Sequence, residues 1–369
     1  MSGRVEKLRE RSHKLTTTLR SMNVTISDVA KRAGVSQATA ARALGEYGYV
    51  GDDTRQRVHS AARALGYLPN NAARTLASGT SNIIGFIAGD IENSFFATTA
   101  RGLIDVVKEF GYTLIVANSD EDVVRERRAV DSLRANRVDG LVVAPASSIE
   151  GDHLAETAAA GTPIVLLDRT VRGLGVDSVV SDGLAGTTTA VRYLLGQGHR
   201  RIGLVIDASQ APLTSMTMRL RGWAATLRGA GVSPDDSLLA YASSPMEDGY
   251  QATIEILERP CPPTAILTAS NLMTVGALRA IRELGIMLPR DLSLVGFDDL
   301  ELFSLYEPPI TAVAQPVRQL GREAGKLLLA RMQGDAGKPR RLRLPTELIV
   351  RSSSAPVREL SGHLQRAST

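Results

Sequence analysis

From Asn82 onward the chain alternates short apolar runs with stretches of helical periodicity, and this alternation restricts the fold more than any other feature. IIGFIAG is followed by a helical pattern over about Ala97–Phe110, then YTLIVANS, a charged helix around Glu121–Asn136, VDGLVVAP, a helix near Asp152–Ala160, and PIVLLD. The same grammar recurs in RIGLVID, a helix around Met218–Ala230, a strand near Leu238–Ala242, a helix over about Asp248–Leu257, TAILTAS, a helix over about Met273–Leu284, and LSLVGFDD. Continuous apolar runs suit strands buried on both faces, and strand–helix–strand repeats imply parallel sheets covered by helices. Two similar α/β halves result. Their strand C-termini should face one cleft, where ligands of open parallel sheets bind.

The residues before Asn82 follow a different pattern. In TISDVAKRAGVSQATAARAL (25–44), Thr25 or Ser27 can cap a helix whose apolar positions are Ile26, Val29, Ala30 and Ala33. Gly34 stops that helix, Val35 turns inward, and Ser36 caps a second helix that buries Ala40, Ala43 and Leu44. Gln37, Ala38, Thr39, Ala41 and Arg42 are left outward or at the edge, the pattern of a helix-turn-helix. Gln can pair with adenine and Arg with guanine in the major groove, while Ala38 offers only a methyl contact to thymine. The plainer reading is an Ala-rich helical hairpin that only packs. A third helix, from about Asp53 to Leu65, carries Val58, Ala61, Ala62 and Leu65 on one stripe and would close a small core.

Charge separates the two regions. Through Thr80 there are 13 Lys and Arg against 6 Asp and Glu, and the remainder carries 30 against 33. A basic front on a mildly acidic body suits phosphate attraction, although a basic tail without fixed structure would give the same totals. At 369 residues the chain exceeds one typical core. No apolar run approaches a membrane span and the first residues lack a secretory apolar segment, so the expected location is cytoplasmic. The single cysteine, Cys261, fits a reducing compartment. No GxSxG, GxxxxGK[ST], HExxH or paired CxxC pattern occurs and the five histidines are scattered, so no catalytic role, cofactor or metal is expected.

The ordered set VTISDVAKRAGVSQATAARAL, Val50, TRQRV and GYLPNNAARTLASG, with further stretches across about residues 23–352, resembles the lactose-repressor (LacI/GalR) family of bacterial transcription regulators. The resemblance implies an all-α helix-turn-helix headpiece followed by an α/β periplasmic-binding-protein-like core of two doubly wound subdomains. On this reading 1–22 is a basic extension, 23–68 the headpiece, 69–81 a hinge helix and linker, 82–352 the ligand-binding and dimerisation core, and 353–369 a polar tail. Gln37, Ala38 and Arg42 take the family's base-reading positions. Thr25, Ile26, Ser36, Thr39, Thr54 and Arg55 take its backbone-contacting ones. Asn70, Ala73 and Leu76 fall at hinge positions, with Leu76 as the wedge in the minor groove. Where the family commonly has VSRVLN this chain has AARALG, so the operator is expected to differ from the common palindrome.

Polar residues at the strand ends are the ligand candidates. Asp90 and Asn93 lie in GDIENSFF, where Phe95 or Phe96 could offer a ring face to a sugar or simply pack the helix start. By resemblance Asp168 matches a sugar-contacting position and Arg219 the family's ligand arginine, while Asp298 and Gln315 fall at cleft positions. The family's usual Asn-Asp pair before a helix is here Ser270-Asn271, which exchanges an anionic acceptor for an amide and implies a different ligand preference. The resemblance therefore implies a homodimeric repressor of double-stranded operator DNA, released by a small sugar-like effector. Two alternatives stay open: a purine or phosphorylated corepressor acting on the same DNA reader, and a transport-type sugar receptor with no DNA role.

Overall fold

A computed structural model describes residues 24–45, 48–67, 80–207, 213–242 and 246–357. The chain divides into two compact units between Ser81 and Asn82.

The first unit holds α1 (Ile26–Ala33), α2 (Gln37–Gly45) and α3 (Asp52–Leu65). Thr25 and Asp28 form a reciprocal capping box at the start of α1. Gly34, at φ 66°, ends α1 and sends its N–H back to the carbonyls of Ala30 and Lys31, a left-handed turn that other residues adopt only with strain. Ser36 Oγ then accepts from Thr39 N at 3.1 Å and caps α2. The core is small and mostly made of methyl groups: Val29, Ala30, Ala33, Ala40, Ala43, Val50, Val58, Ala61 and Ala62. Short side chains let three helices approach closely, and the burial per residue is modest.

The second unit is two lobes of one plan. Lobe 1 begins with β1 (Ile83–Ala88), α4 (Ser94–Val107), β2 (Thr113–Asn118), α5 (Val123–Ala135), β3 (Gly140–Val143), α6 (Asp152–Ala159), β4 (Ile164–Leu167) and β5 (Asp177–Ser181). The chain then crosses into lobe 2. That lobe comprises α7 (Gly183–Gly196), β6 (Ile202–Asp207), α8 (Thr214–Gly229), β7 (Leu239–Ala242), α9 (Glu247–Leu257), β8 (Ala265–Thr268), α10 (Asn271–Glu283), β9 (Ser293–Phe297), α11 (Glu301–Leu305) and β10 (Thr311–Ala314). After Ala314 it returns to lobe 1 as α12 (Val317–Met332) and β11 (Arg341–Leu344), then crosses once more to β12 (Glu347–Ile349).

The sheets run β2-β1-β3-β4-β5-β11, all parallel, and β7-β6-β8-β9-β10-β12, parallel except for β12. In both the strand order reverses beside the first strand, β1 or β6, which puts a topological switch point at the C-terminal edge of each sheet. The first and third crossing segments are bonded directly: Asp182 N donates to Leu344 O at 2.8 Å and Thr346 Oγ1 to Asp182 O at 3.4 Å. Helices α4 and α12 cross at glycines. A Cβ on Gly102 would stand 2.1 Å from Arg318 O, and one on Gly321 2.1 Å from Thr99 O.

Several elements differ from the sequence pattern at their ends. Helix α4 starts at Ser94, before Ala97, because Asn93 caps it; α10 starts at Asn271 because Ser270 caps it. Helix α8 likewise starts at Thr214, before Met218. Ser353 and Ser354, read as part of a polar tail, are buried: Ser353 Oγ donates to Leu294 O at 2.6 Å and accepts from Thr311 N at 2.8 Å. Packing into lobe 2 thus continues past residue 352, through Val357, whose N–H donates to Gln197 O.

Candidate DNA-reading face and ligand cleft

On α2 the buried side is Ala40 and Ala43, and helical geometry leaves Gln37, Ala38 and Arg42 exposed together on the opposite side. Thr39 and Ala41 sit at the edge, half-buried. Arg42 lies along the helix, its Nε 3.4 Å from Ala38 O, with its stem against Gly48. Ser36 and Thr39 hydroxyls bond each other at 2.8 Å at the helix start. Thr25 is exposed at the N-terminus of α1, and Ile26 beside it packs half-buried on the small core. Thr54 and Arg55 are half-buried in the first turn of α3, where Thr54 Oγ1 accepts from Arg57 at 3.3 Å. The starts of three helices thus carry the backbone-contacting candidates, and helix starts present unbonded N–H groups suited to phosphate. Asn70, Ala73 and Leu76 lie outside the described residues.

In the second unit the ligand candidates converge from both lobes. Asp168 follows β4 at φ 63° and Asp298 follows β9 at φ 70°, equivalent places in the two lobes. Asp168 Oδ2 accepts from Arg169 Nε at 3.3 Å, and Oδ1, buried, has no hydrogen-bond partner among the described residues. Asp298 accepts from Gln315 Nε2 at one oxygen and from Asn271 N, at 3.3 Å, at the other. Burial pushes the Asp298 carboxyl above the usual carboxylate range, against the opposing pull of Arg219 and of the Gln315 bond. Gln315 in turn accepts from Ser181 Oγ, so the first and second crossing segments meet at the base of the cleft.

Arg219, 3% exposed, stacks its guanidinium 3.8 Å over the Phe297 ring and donates Nη1 to Ala269 O. Its Nε has no partner among the described residues, and the same holds for Ser215 Oγ one turn earlier on α8. Asp168, Ser215 and Arg219 line one cavity of about 170 Å³, together with Thr170, Ser181 and Thr214. A second cavity of about 580 Å³ is bordered by Ser94, Phe95, Asn271, Asp298, Leu300 and Gln315. Asn93 caps α4 through Phe95 N at 3.0 Å and accepts from Asn271 Nδ2 at 2.9 Å. Asp90 lies one turn before α4, its Oδ1 accepting from Glu92 N at 2.9 Å. Phe95 and Phe96 meet edge to face at 5.2 Å, both buried in the lobe 1 core, and only Phe95 also borders the cavity.

Sequence reasoning passed over Arg169. It is buried, grips Glu121 with both terminal nitrogens, donates to Pro145 O at 3.1 Å, and holds one oxygen of Asp168. Burial alone would disfavour its charge, but Glu121 and Asp168 hold the guanidinium above its ordinary range. Its place directly after Asp168 at a strand end was the available signal. Thr214 and Ser148 were also missed; short hydroxyl residues in loops carry no periodic signature. Among the described residues no cluster of His, Cys, Asp and Glu has the arrangement of a metal site, and no helix is long and apolar enough to cross a membrane.

A three-helix DNA-reading unit joined in one chain to a pair of α/β lobes around a charged cleft defines a class of bacterial regulator. The chain belongs to the lacI family of bacterial regulatory proteins. Residues 25–70 match that family's profile and 191–354 that of the periplasmic binding protein-like domain. It is 35% identical over 331 residues to the HTH-type transcriptional repressor CytR of Escherichia coli K12, covering 89% of this chain and 96% of that one. The lac repressor dimer bound to operator and the anti-inducer ONPF superposes with a TM-score of 0.79 at 30% identity, over 90% of this chain and 99% of that one. The complex of the transcriptional regulator CelR with cellobiose gives 0.68 at 30% identity, over 90% and 100%.

Proposed function

We propose that the protein is a homodimeric repressor that reads a near-palindromic DNA operator through Gln37, Ala38 and Arg42 and is released by a small, neutral, polyhydroxylated effector. The observation that carries the reading is the exposed Gln37–Ala38–Arg42 face in a chain whose second unit gathers Asp168, Arg219 and Asp298 at one cleft. Adjacent hydroxyls donate to carboxylates and accept from a planar guanidinium. Asp168 Oδ1, Ser215 Oγ and Arg219 Nε supply an acceptor, a hydroxyl and a donor at the smaller cavity.

Charge separates this effector from a phosphorylated corepressor. Around the two cavities the carboxylates of Asp168, Asp182, Asp298 and Glu301 outnumber the guanidiniums of Arg219 and Arg343, since Arg169 is already committed to Glu121 and Asp168, and Arg318 to Asp105. An added phosphate would meet net negative charge in a poorly hydrated site. The amide of Asn271, read from the sequence as a possible ligand donor, is engaged with Asn93 and Ser94.

Selection of duplex DNA from a random library, followed by titration with pentoses, hexoses, nucleosides and their phosphates, tests the reading. A palindromic site weakened by a neutral polyol is expected, with Arg42→Ala binding that site no better than random DNA. Tightening by a phosphorylated compound would replace this reading with the corepressor one, and failure to select any DNA would end it.

A further inference from the structure

The two lobes are joined at the mouth of the cleft by hydrogen bonds between their own residues, at two separate places. Beside the larger cavity, Asn271 at the start of α10 in lobe 2 donates Nδ2 to Asn93 Oδ1 at 2.9 Å and to Ser94 Oγ at 3.5 Å in lobe 1. Beside the smaller cavity, Thr214 at the start of α8 in lobe 2 donates its N–H to Ser148 Oγ at 2.8 Å. Its hydroxyl accepts from Thr170 N at 3.0 Å, and both of those residues belong to lobe 1 loops.

From this arrangement we infer that the core is held closed by its own side chains before an effector arrives, with Asn271 and Thr214 as the two ties. The geometry of each tie is fixed from behind. Asn93 Oδ1 is committed to capping α4 through Phe95 N, so the amide cannot turn over to suit another partner without losing the cap. Asn271 Oδ1 accepts from Leu272 N at 2.7 Å, which points its NH2 group across the cleft. The loop bearing Ser148 is anchored by Glu126, a fully buried carboxylate that accepts from Ala146 N and from His153, both at 2.6 Å. Thr214 N is the first amide of its helix and has no acceptor within it, so Ser148 answers a requirement that solvent would otherwise meet. The chain's departure at 271 acquires a function here. An aspartate would lose the donor to Asn93 and place a second negative charge beside Asp298, whose carboxylate already accepts from the backbone N–H of residue 271.

For the regulator proposed above, closure would then be a standing bias on which the effector acts, and only its differential affinity for the two lobe arrangements could shift operator binding. The tie itself is testable with no effector. Residue-resolved amide hydrogen exchange on the effector-free full-length protein reads Thr170 and Thr214, whose amides lose their acceptors when the lobes part. Protection of at least about tenfold over the unstructured rate is expected in the wild type. Asn271→Asp, and Asn271→Ala as the uncharged second variant, should erase it at the far tie while Val142 in β3 and Val295 in β9 keep wild-type exchange. Unprotected Thr170 and Thr214 in the wild type would overturn the inference. So would unchanged protection in both variants, which would show that the two ties do not act together.

Discussion

Arg219→Met removes a buried cleft guanidinium whose bonded acceptor is a carbonyl rather than a carboxylate, while keeping an unbranched side chain on Phe297. The guanidinium donates to Ala269 O and stacks on Phe297 at 3.8 Å, its buried Nε has no partner among the described residues, and the residue lines the smaller cavity. A hydrogen bond from a charged donor contributes about 1.5–3 kcal/mol. Its loss therefore raises the effector concentration for half-release of operator by roughly 10- to 150-fold. The unsatisfied Ala269 carbonyl costs a further ~1–3 kcal/mol of stability, a fall of roughly 2–4 °C in melting temperature for each kcal/mol. The assay is fluorescence anisotropy of the selected operator duplex, titrated with effector. Operator affinity without effector should match the wild type, because the exposed face of α2 belongs to the other unit. Release at the wild-type concentration would refute the placement of Arg219 against the effector, and loss of operator binding would show that the substitution damages more than the cleft.

Two further outcomes test the packing beneath the site. Gly321→Ala forces a methyl group to within 2.1 Å of Thr99 O at the α4–α12 crossing. Overpacking of this kind costs about 1–3 kcal/mol, or roughly 2–12 °C by calorimetry, whereas Gly196→Ala at the end of α7, with nothing within 4 Å, should not lower the melting temperature. His199, 2% exposed, donates Nε2–H to Ala355 O and bonds Thr264 through Nδ1, and burial holds its pKa below the ordinary imidazole value. A histidine depressed in the folded state adds stability above its unfolded pKa of about 6.5 and loses it as pH falls through the lower folded value. Melting temperature should therefore drop below about pH 6.5 in the wild type and drop less steeply in His199→Gln; equal slopes would remove His199 as the cause.

Much of the headpiece was legible because local chemistry and burial agree there. Thr25, Gly34 and Ser36 punctuate two helices whose alanines recur at helical spacing, and each performs the expected capping or turning. The parallel strands were equally plain, since β3, β4, β8 and β9 are buried along their whole length and carry only two hydroxyl residues between them, Thr268 and Ser293. Helix α7, GLAGTTTAVRYLLG, escaped the periodic reading: its glycines and threonines are weak helix formers, and the helix is sustained by packing on α8. Edge strand β11, RLRL, is half-exposed and lies far along the chain from its partner β5. In the cleft, sequence placed Asp168 and Asp298 at strand ends but carried no sign of their left-handed backbone or of the Arg169–Glu121 grip behind Asp168. The alternatives for the two phenylalanines are both visible in the fold, since Phe95 and Phe96 pack the start of α4 and Phe95 also reaches the cavity.

For the repressor proposed here, one coupling free energy links effector and operator. Calorimetric titration of the released-form effector, selected as above, into the protein alone and into the protein saturated with operator duplex measures that coupling from the ligand's side. Linkage requires the operator to weaken effector binding by the same factor by which the effector weakens operator binding, about 5- to 150-fold for couplings of typical size. Equal effector affinity in the two titrations would contradict the account.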